Sequence, residues 1–183
     1  MKLTKFKVLV TDTPNNLIEE KLVLGDKFKL YLTNIKSYKK LNKKFKSKID
    51  AILTGATLKF DKKELENYKN CKVISRYGIG YDKIDLNEAK KRNIKVFVVP
   101  DYGVDEVSDH ALSLMLALNR SLLIYDTQIK NSYIKNKIVW DHNKSPNQMR
   151  LNDITLGIVG LGRIGSSLAR KAKALNMNVI FYD

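Results

Sequence analysis

Four residues late in the sequence are of types and at spacings that could do chemistry together: Gly160, Gly162, Gly165 and Asp183. The glycines give the pattern G-x-G-x-x-G. Gly160 lets the chain turn sharply. Gly162 has no Cβ, so a pyrophosphate can approach the backbone. Gly165 lets the following helix lie close on the preceding strand. A helix that opens at such a turn aims free N–H groups and a partial positive charge at whatever sits there. Asp183 stands 18 positions after Gly165, near the spacing of an acid that accepts hydrogen bonds from an adenosine ribose. The pattern therefore predicts a dinucleotide site. The competing reading is a glycine turn of any α/β protein with Asp183 as an ordinary strand end. It is the weaker one, because strand, glycines, helix, strand and acid all fall in order.

The elements that must position these residues are visible in the apolar pattern. Ile154 to Val159 is a short branched run, the signature of a strand covered on both faces, and Asn178 to Tyr182 is a second strand. Upstream, strands are expected at Phe6–Val10, Phe28–Leu32, Ile49–Leu53, Val73–Ser75 and Ile94–Val99. Helices are expected from about Pro14, over the lysine-rich stretch Lys36–Lys48, over Asp61–Tyr68 and over Asp85–Arg92, with Asp85 as N-cap. Strands alternating with helices predict a parallel, doubly wound sheet. After Pro100 the pattern changes. Val107, Ala111, Leu114, Met115, Leu118 and Leu122 recur at helical spacing and predict one long apolar helix. From Tyr125 to Met149 the chain is polar, with Tyr133, Ile138, Val139 and Trp140 lacking a local partner. This stretch is read as an arm that covers another subunit, against the alternative of an excursion folded back on its own domain. A domain boundary is expected near Val99–Tyr102.

Composition narrows the class. With 183 residues and 44% hydrophobic content the chain can bury a core, which argues against disorder. Its one cysteine, Cys71, excludes an internal disulfide and reads as a buried, inert thiol. No apolar run is long enough to cross a bilayer and no secretory signal is visible, so a cytoplasmic protein is expected, with no membrane partner and no metal site. The net charge of +15 invites a nucleic-acid reading. Only six of the 34 basic residues are arginine. Lys36–Lys48 carries its seven lysines around Tyr38, Leu41 and Phe45, as an amphipathic helix with a solvated face would. Only weak, nonspecific binding to nucleic acid is expected. The positive charge would still help attract an anionic cofactor or acid.

Three stretches together resemble the D-isomer-specific 2-hydroxyacid dehydrogenase family. They are Ser75-Arg76-Tyr77-Gly78-Ile79-Gly80-Tyr81-Asp82-Lys83-Ile84-Asp85, Tyr102-Gly103-Val104-Asp105-Glu106-Val107-Ser108-Asp109-His110-Ala111-Leu112, and Gly157 to Gly165. The similarity is nearest the branch of C-terminal-binding proteins and phosphoglycerate dehydrogenases, and it covers the chain after about Ile49. One departure is Lys83, where the family usually has asparagine. The resemblance implies a flavodoxin-like substrate domain over residues 1–100. The first part of a Rossmann domain would follow over 101–183, with the long helix and the dimerisation arm at about 104–150. It implies that backbone N–H groups of Tyr77, Gly78, Ile79 and Gly80 hold a substrate carboxylate. That role is chemically sensible for a glycine loop that can curl its N–H groups around an anion. Arg76 is placed with this loop but not as a catalytic group; its alternative role is a surface ion pair. The resemblance places Gly160, Leu161, Gly162, Arg163, Ile164, Gly165 and Asp183 at the cofactor, with Arg163 and Ile164 at the pyrophosphate. Val107 falls near the nicotinamide, with helix core as its other role.

The implied activity is hydride transfer between NAD and a small 2-hydroxy or 2-keto acid, in a homodimer. Asp183 favours NAD over NADP because its carboxylate would repel a 2′-phosphate. In the family an arginine, a glutamate and a histidine complete the chemistry, and they follow the cofactor-binding acid. No catalytic residue is therefore expected in these 183 residues, and the chain is expected to be inactive alone. His110 is expected to make a structural or capping contact and His142 to be solvated. Without the remaining strands of a Rossmann sheet, the Ile154–Val159 strand is expected to have one open apolar edge. An alternative role is that of an NAD-sensing interaction protein of the corepressor type.

Overall fold

The computed structural model describes residues 5–12, 17–135 and 148–183. The chain divides into two compact units, Met1–Tyr102 and Gly103–Asp183. Both are α/β with parallel strands.

The first unit is a five-stranded sheet of β1 (Phe6–Thr11), β2 (Phe28–Thr33), β3 (Ala51–Thr54), β4 (Val73–Arg76) and β5 (Lys95–Phe97). The spatial order is β2-β1-β3-β4-β5 and every pairing is parallel, which is the flavodoxin-like order. Its helices are α1 (Ile18–Leu24), α2 (Ile35–Tyr38), α3 (Lys43–Lys46), α4 (Lys62–Leu65) and α5 (Leu86–Lys91). The pleat divides the core. Leu9, Ile52 and Ile74 point to one face, where they meet Tyr38, Phe60, Leu65, Tyr68 and Ala89. Val8 and Val10 point to the other, where Leu17 at the head of α1 covers them. The chain steps one way from β1 to β2 and the opposite way thereafter. Right-handed crossovers therefore put α1 on one face and the other helices on the reverse. Asp61 and Asp85 start α4 and α5 by accepting from the N–H groups of Glu64 and Glu88 at 3.0 and 2.9 Å.

Three sequence expectations are corrected here. The lysine-rich stretch is two short helices, because Asn34 and Asn42 each cap a new one, accepting from Ser37 and Phe45 N–H. Its face is not wholly solvated. Lys46 is buried, paired with Glu64 at 2.7 Å and 4.4 Å above the Tyr38 ring. Along β2 the side chains do not alternate regularly in burial. Leu30 and Tyr31 are both half-buried and Leu32 is exposed, since β2 is an edge strand. The helix expected from Pro14 falls partly outside the described residues; α1 itself begins at Ile18.

The second unit holds α6 (Val104–Asn119), α7 (Leu122–Ile134), a 3-10 turn at Leu151–Asp153, β6 (Thr155–Val159), α8 (Arg163–Ala174) and β7 (Asn178–Tyr182). β6 and β7 pair in parallel through α8. The expected stripe on α6 is not a buried one. Val107, Leu114 and Leu118 are exposed, and the helix breaks at Ser121, where φ is +53°, before Leu122 starts α7. What is buried between α6 and α8 is polar: Ser108 and Ser167, at the centre of a seam whose Asp105 and Asp109 carboxylates are exposed. The Ser108 hydroxyl donates to the Asp105 carbonyl at 2.9 Å and lies 3.1 Å from that of Ser167, which donates to the Asp105 carboxylate at 3.0 Å. Lys171 closes the seam, 2.6 Å from both Ser108 Oγ and Asp109 Oδ1. The bonds from Ser167 and Lys171 hold the Asp105 carboxyl below its ordinary range, and the bond to Asp109 holds the Lys171 ammonium above its own. β6 is likewise not covered on both faces: only Ile158 is buried, and Val159 is 88% exposed. Within this unit a single neighbouring strand pairs with β6. Of the expected arm, Tyr133 is exposed at the end of α7; Ile138, Val139, Trp140 and His142 lie outside the described residues.

Candidate functional site

In the second unit the chemistry is gathered at the end of β6. Gly160 has φ of +91°, a left-handed conformation that side chains rarely adopt, and it turns the chain out of the strand. Its N–H donates to the Tyr182 carbonyl at 2.8 Å, which ties the turn to β7. Gly162 is the N-cap of α8, and no side chain caps that end. A Cβ on Gly160 or Gly162 would meet nothing within 4 Å, so the turn faces open space. Gly165 is the reverse case. A Cβ there would drive into the Gly160 carbonyl oxygen and lie 3.3 Å from Ile158 Cγ2. The helix is packed as tightly on the strand as a bare Cα allows. Asp183 Oδ1 accepts from the Leu161 N–H at 2.9 Å, at the mouth of the same turn. Arg163 and Ile164 are exposed in the first turn of α8. Val107 is half-exposed on α6, so it is not core. His110, expected to make a structural or capping contact, is exposed on α6.

In the first unit the chemistry lies at the carboxyl edge of the sheet. Thr33, Thr11, Thr54 and Arg76 stand side by side in register across four neighbouring strands, all buried. The Thr11 and Thr54 hydroxyls bond at 2.8 Å. Arg76 is 7% exposed, and its Nε is buried without a partner. The surface ion pair considered for it is absent among the described residues. This row escaped the sequence reading. Its one signal is that four apolar runs each end on threonine or arginine: FKVLVT, FKLYLT, AILT and VISR.

The loop after β4 is held from several sides. The Tyr77 N–H donates to the Thr54 carbonyl at 3.0 Å, and the Gly78 carbonyl accepts from the Val99 N–H at 3.1 Å. The Tyr102 ring covers Gly78, with its hydroxyl 3.5 Å from where a Cβ would be. The N–H groups of Gly78, Ile79 and Gly80 find no partner among the described residues. A run of unpaired N–H groups two to four residues after a buried arginine suits an anion. The Tyr77 hydroxyl donates to Glu20 at 2.8 Å. Among the described residues no group of three or more His, Cys, Asp or Glu is placed to hold a metal, and no helix is long and apolar enough to cross a membrane.

Comparison with known proteins decides the family. Residues 8–180 match the model of the D-isomer specific 2-hydroxyacid dehydrogenase catalytic domain. The chain belongs to the D-isomer-specific 2-hydroxyacid dehydrogenase family. It is 40% identical over 135 residues to a glyoxylate reductase of Thermococcus litoralis, covering 74% of this chain and 41% of that protein. It is 36% identical over 136 residues to a D-3-phosphoglycerate dehydrogenase of Archaeoglobus fulgidus, covering 74% of this chain and 24% of the relative. Among solved structures, D-lactate dehydrogenase of Aquifex aeolicus, in complex with NAD and lactic acid, superposes with a TM-score of 0.77. It is 28% identical, and the match covers 96% of this chain and 51% of that one. The chain thus spans about half of that solved dehydrogenase and well under half of the two curated relatives. The flavodoxin-like sheet and the βαβ unit with its glycine turn are the parts of this dehydrogenase fold that it supplies.

Proposed function

We propose that this chain forms part of an oxidoreductase that moves a hydride between NAD and carbon 2 of a small 2-hydroxy or 2-keto acid. One observation carries the reading: a carboxylate, Asp183, stands at the mouth of a turn whose glycines face open space at an uncapped helix end. A pyrophosphate fits there, between the backbone of Gly160, Leu161 and Gly162 and the first turn of α8 at Arg163, Ile164 and Gly165. Asp183 would use its second oxygen on a ribose hydroxyl. Its charge would repel a 2′-phosphate, which favours NAD over NADP. The bound cofactor would supply or accept the hydride.

For the acid, the unpaired N–H groups of Gly78, Ile79 and Gly80, with Tyr77 at their head, would bind the carboxylate, and Arg76 would add charge beneath them. Val107 would lie near the nicotinamide. No arginine–glutamate–histidine set is assembled among the described residues. Positioning donor and acceptor is worth about 7–11 kcal/mol of barrier, so turnover by these residues alone is not expected. A homodimer is part of the proposal: Leu118 at 75% and Tyr133 at 84% exposed on α6 and α7 are apolar surface suited to a second copy.

Calorimetric titration of the chain with NADH and with NADPH tests the reading. Binding of NADH, tighter than NADPH, is expected, and a longer protein carrying these residues should reduce glyoxylate with NADH. Binding of neither nucleotide would overturn the proposal.

A further inference from the structure

We infer that Glu20 is a positioning residue for the acid-binding loop, acting through the Tyr77 hydroxyl. The inference rests on the reading of residues 77–80 given above. Three backbone or ring contacts hold this loop on the side of β3 and β5: Tyr77 N–H to Thr54, Val99 N–H to the Gly78 carbonyl, and Tyr102 over Gly78. Among the described residues, the side towards α1 has one tie, the Tyr77 hydroxyl to Glu20 Oε1 at 2.8 Å, across 57 residues of sequence. A phenol that is 41% exposed needs no protein partner, because water would serve. It is nevertheless bonded to a carboxylate in the first turn of α1, where the helix fixes the acceptor. Glu20 makes no ion pair among the described residues, so no cation competes for that oxygen. Burial first, and then the Glu20 bond and charge, push the Tyr77 phenol above its ordinary range, which keeps it a donor.

The consequence is mechanical. Tyr77 immediately precedes the three unpaired N–H groups, and two of the next three residues are glycines with wide backbone freedom. Tethering the Tyr77 ring restricts that freedom on the side facing α1. Ordering the loop before the acid arrives lowers the entropy lost on binding.

The test is an NMR titration of the 183-residue chain with D-lactate, following the amide signals of Gly78 and Gly80. The native chain is expected to show saturable shifts at both. Y77F and E20A should each weaken the apparent affinity by about fivefold, the worth of one hydrogen bond. The double variant should be no weaker than either single one. E20Q keeps an acceptor oxygen and should stay near the native value. Equal affinity in all variants, or losses that multiply in the double variant, would overturn the inference while leaving the loop reading intact. No shift at 78–80 in the native chain would instead remove the loop reading, and this inference with it. Neither Y77F nor E20A touches the buried core, and signals from Leu9, Ile52 and Ile74 within that core report that the fold is kept.

Discussion

Asp183 and Leu161 are joined by a 2.9 Å hydrogen bond from the Leu161 N–H to the Asp183 carboxylate. The acid at the end of β7 is thereby seated on the glycine turn. One oxygen braces the turn and the other stays available. Hydrogen bonds to charged groups are worth about 1.5–3 kcal/mol, so D183A should weaken binding of ADP-ribose by roughly tenfold to a hundredfold. D183N, which keeps an acceptor but loses the charge, should lose less and should narrow the gap between NADH and NADPH. Calorimetry with the three ligands checks both. An unchanged affinity in D183A would detach this residue from the nucleotide.

The three glycines of the turn should separate cleanly on substitution. G165A forces a methyl into the Gly160 carbonyl, so strand or helix must move, and overpacking of this kind costs about 1–3 kcal/mol. G160A meets open space but must hold φ at +91°, a backbone penalty of roughly 1 kcal/mol or more. G162A has φ of −62° and open space around it, so its stability should be native. What G162A should lose is nucleotide affinity, because the methyl occupies the approach of the pyrophosphate. Urea midpoints and ADP-ribose titrations of the three variants give the pattern; a destabilised G162A would contradict it.

The devices that the sequence made visible are local ones. The capping aspartate Asp85 and the 160–165 turn are each set by residues within a few positions of one another, and both fall where expected. What sequence reading missed is set by distant partners. Lys46 reads as one more solvated lysine until Glu64, 18 positions away, comes to meet it. The buried row of Thr33, Thr11, Thr54 and Arg76 exists only once four strands are in register. The apolar period of α6 shows which face is apolar but not what lies against it. In this unit α6 meets α8 partly through polar groups, among them Ser108 and Lys171. One local signal was also overlooked: Asn42 looks like any polar residue inside a lysine-rich helix, yet it caps a new one.

Stability should fall in alkali. Burial pushes the Cys71 thiol up to about 11 from an ordinary 9.0. Burial also pushes the Tyr38 and Tyr68 phenols upward, the former with help from its hydrogen bond to Glu64. Between about pH 9 and 11 the unfolded thiol has lost its proton while the folded one keeps it. The folded state therefore binds more protons, and unfolding becomes easier as pH rises, by about 1.4 kcal/mol per pH unit for the thiol alone. The stabilisation is complete below pH 9, and the tyrosines extend its loss to higher pH. Urea midpoints at pH 8, 9 and 10 should decline, and C71A should flatten the first part of that decline. A thiol reagent at pH 8 should modify the native chain only on unfolding; rapid modification would show that Cys71 is not sealed in the core.

Two buried cations lie against the same core and should respond in opposite ways to loss of charge. Lys46 has a carboxylate at 2.7 Å and two tyrosine rings beneath it. K46M would leave Glu64 facing the interior without its cation, and breaking such a pair costs about 3–5 kcal/mol. Arg76 has no ion pair among the described residues, and its Nε is bonded to nothing. An unsatisfied buried donor is itself a penalty of about 1–3 kcal/mol, so R76M, similar in length and apolar, should be neutral or more stable than the native chain. The same change should weaken D-lactate binding at Gly78 and Gly80, because it removes the positive charge next to the loop. A residue whose removal stabilises the fold and harms binding is held in place for the ligand rather than for the core. Urea midpoints of K46M and R76M, with the NMR titration of R76M, decide the matter: a destabilised R76M with intact acid binding would make Arg76 a structural residue.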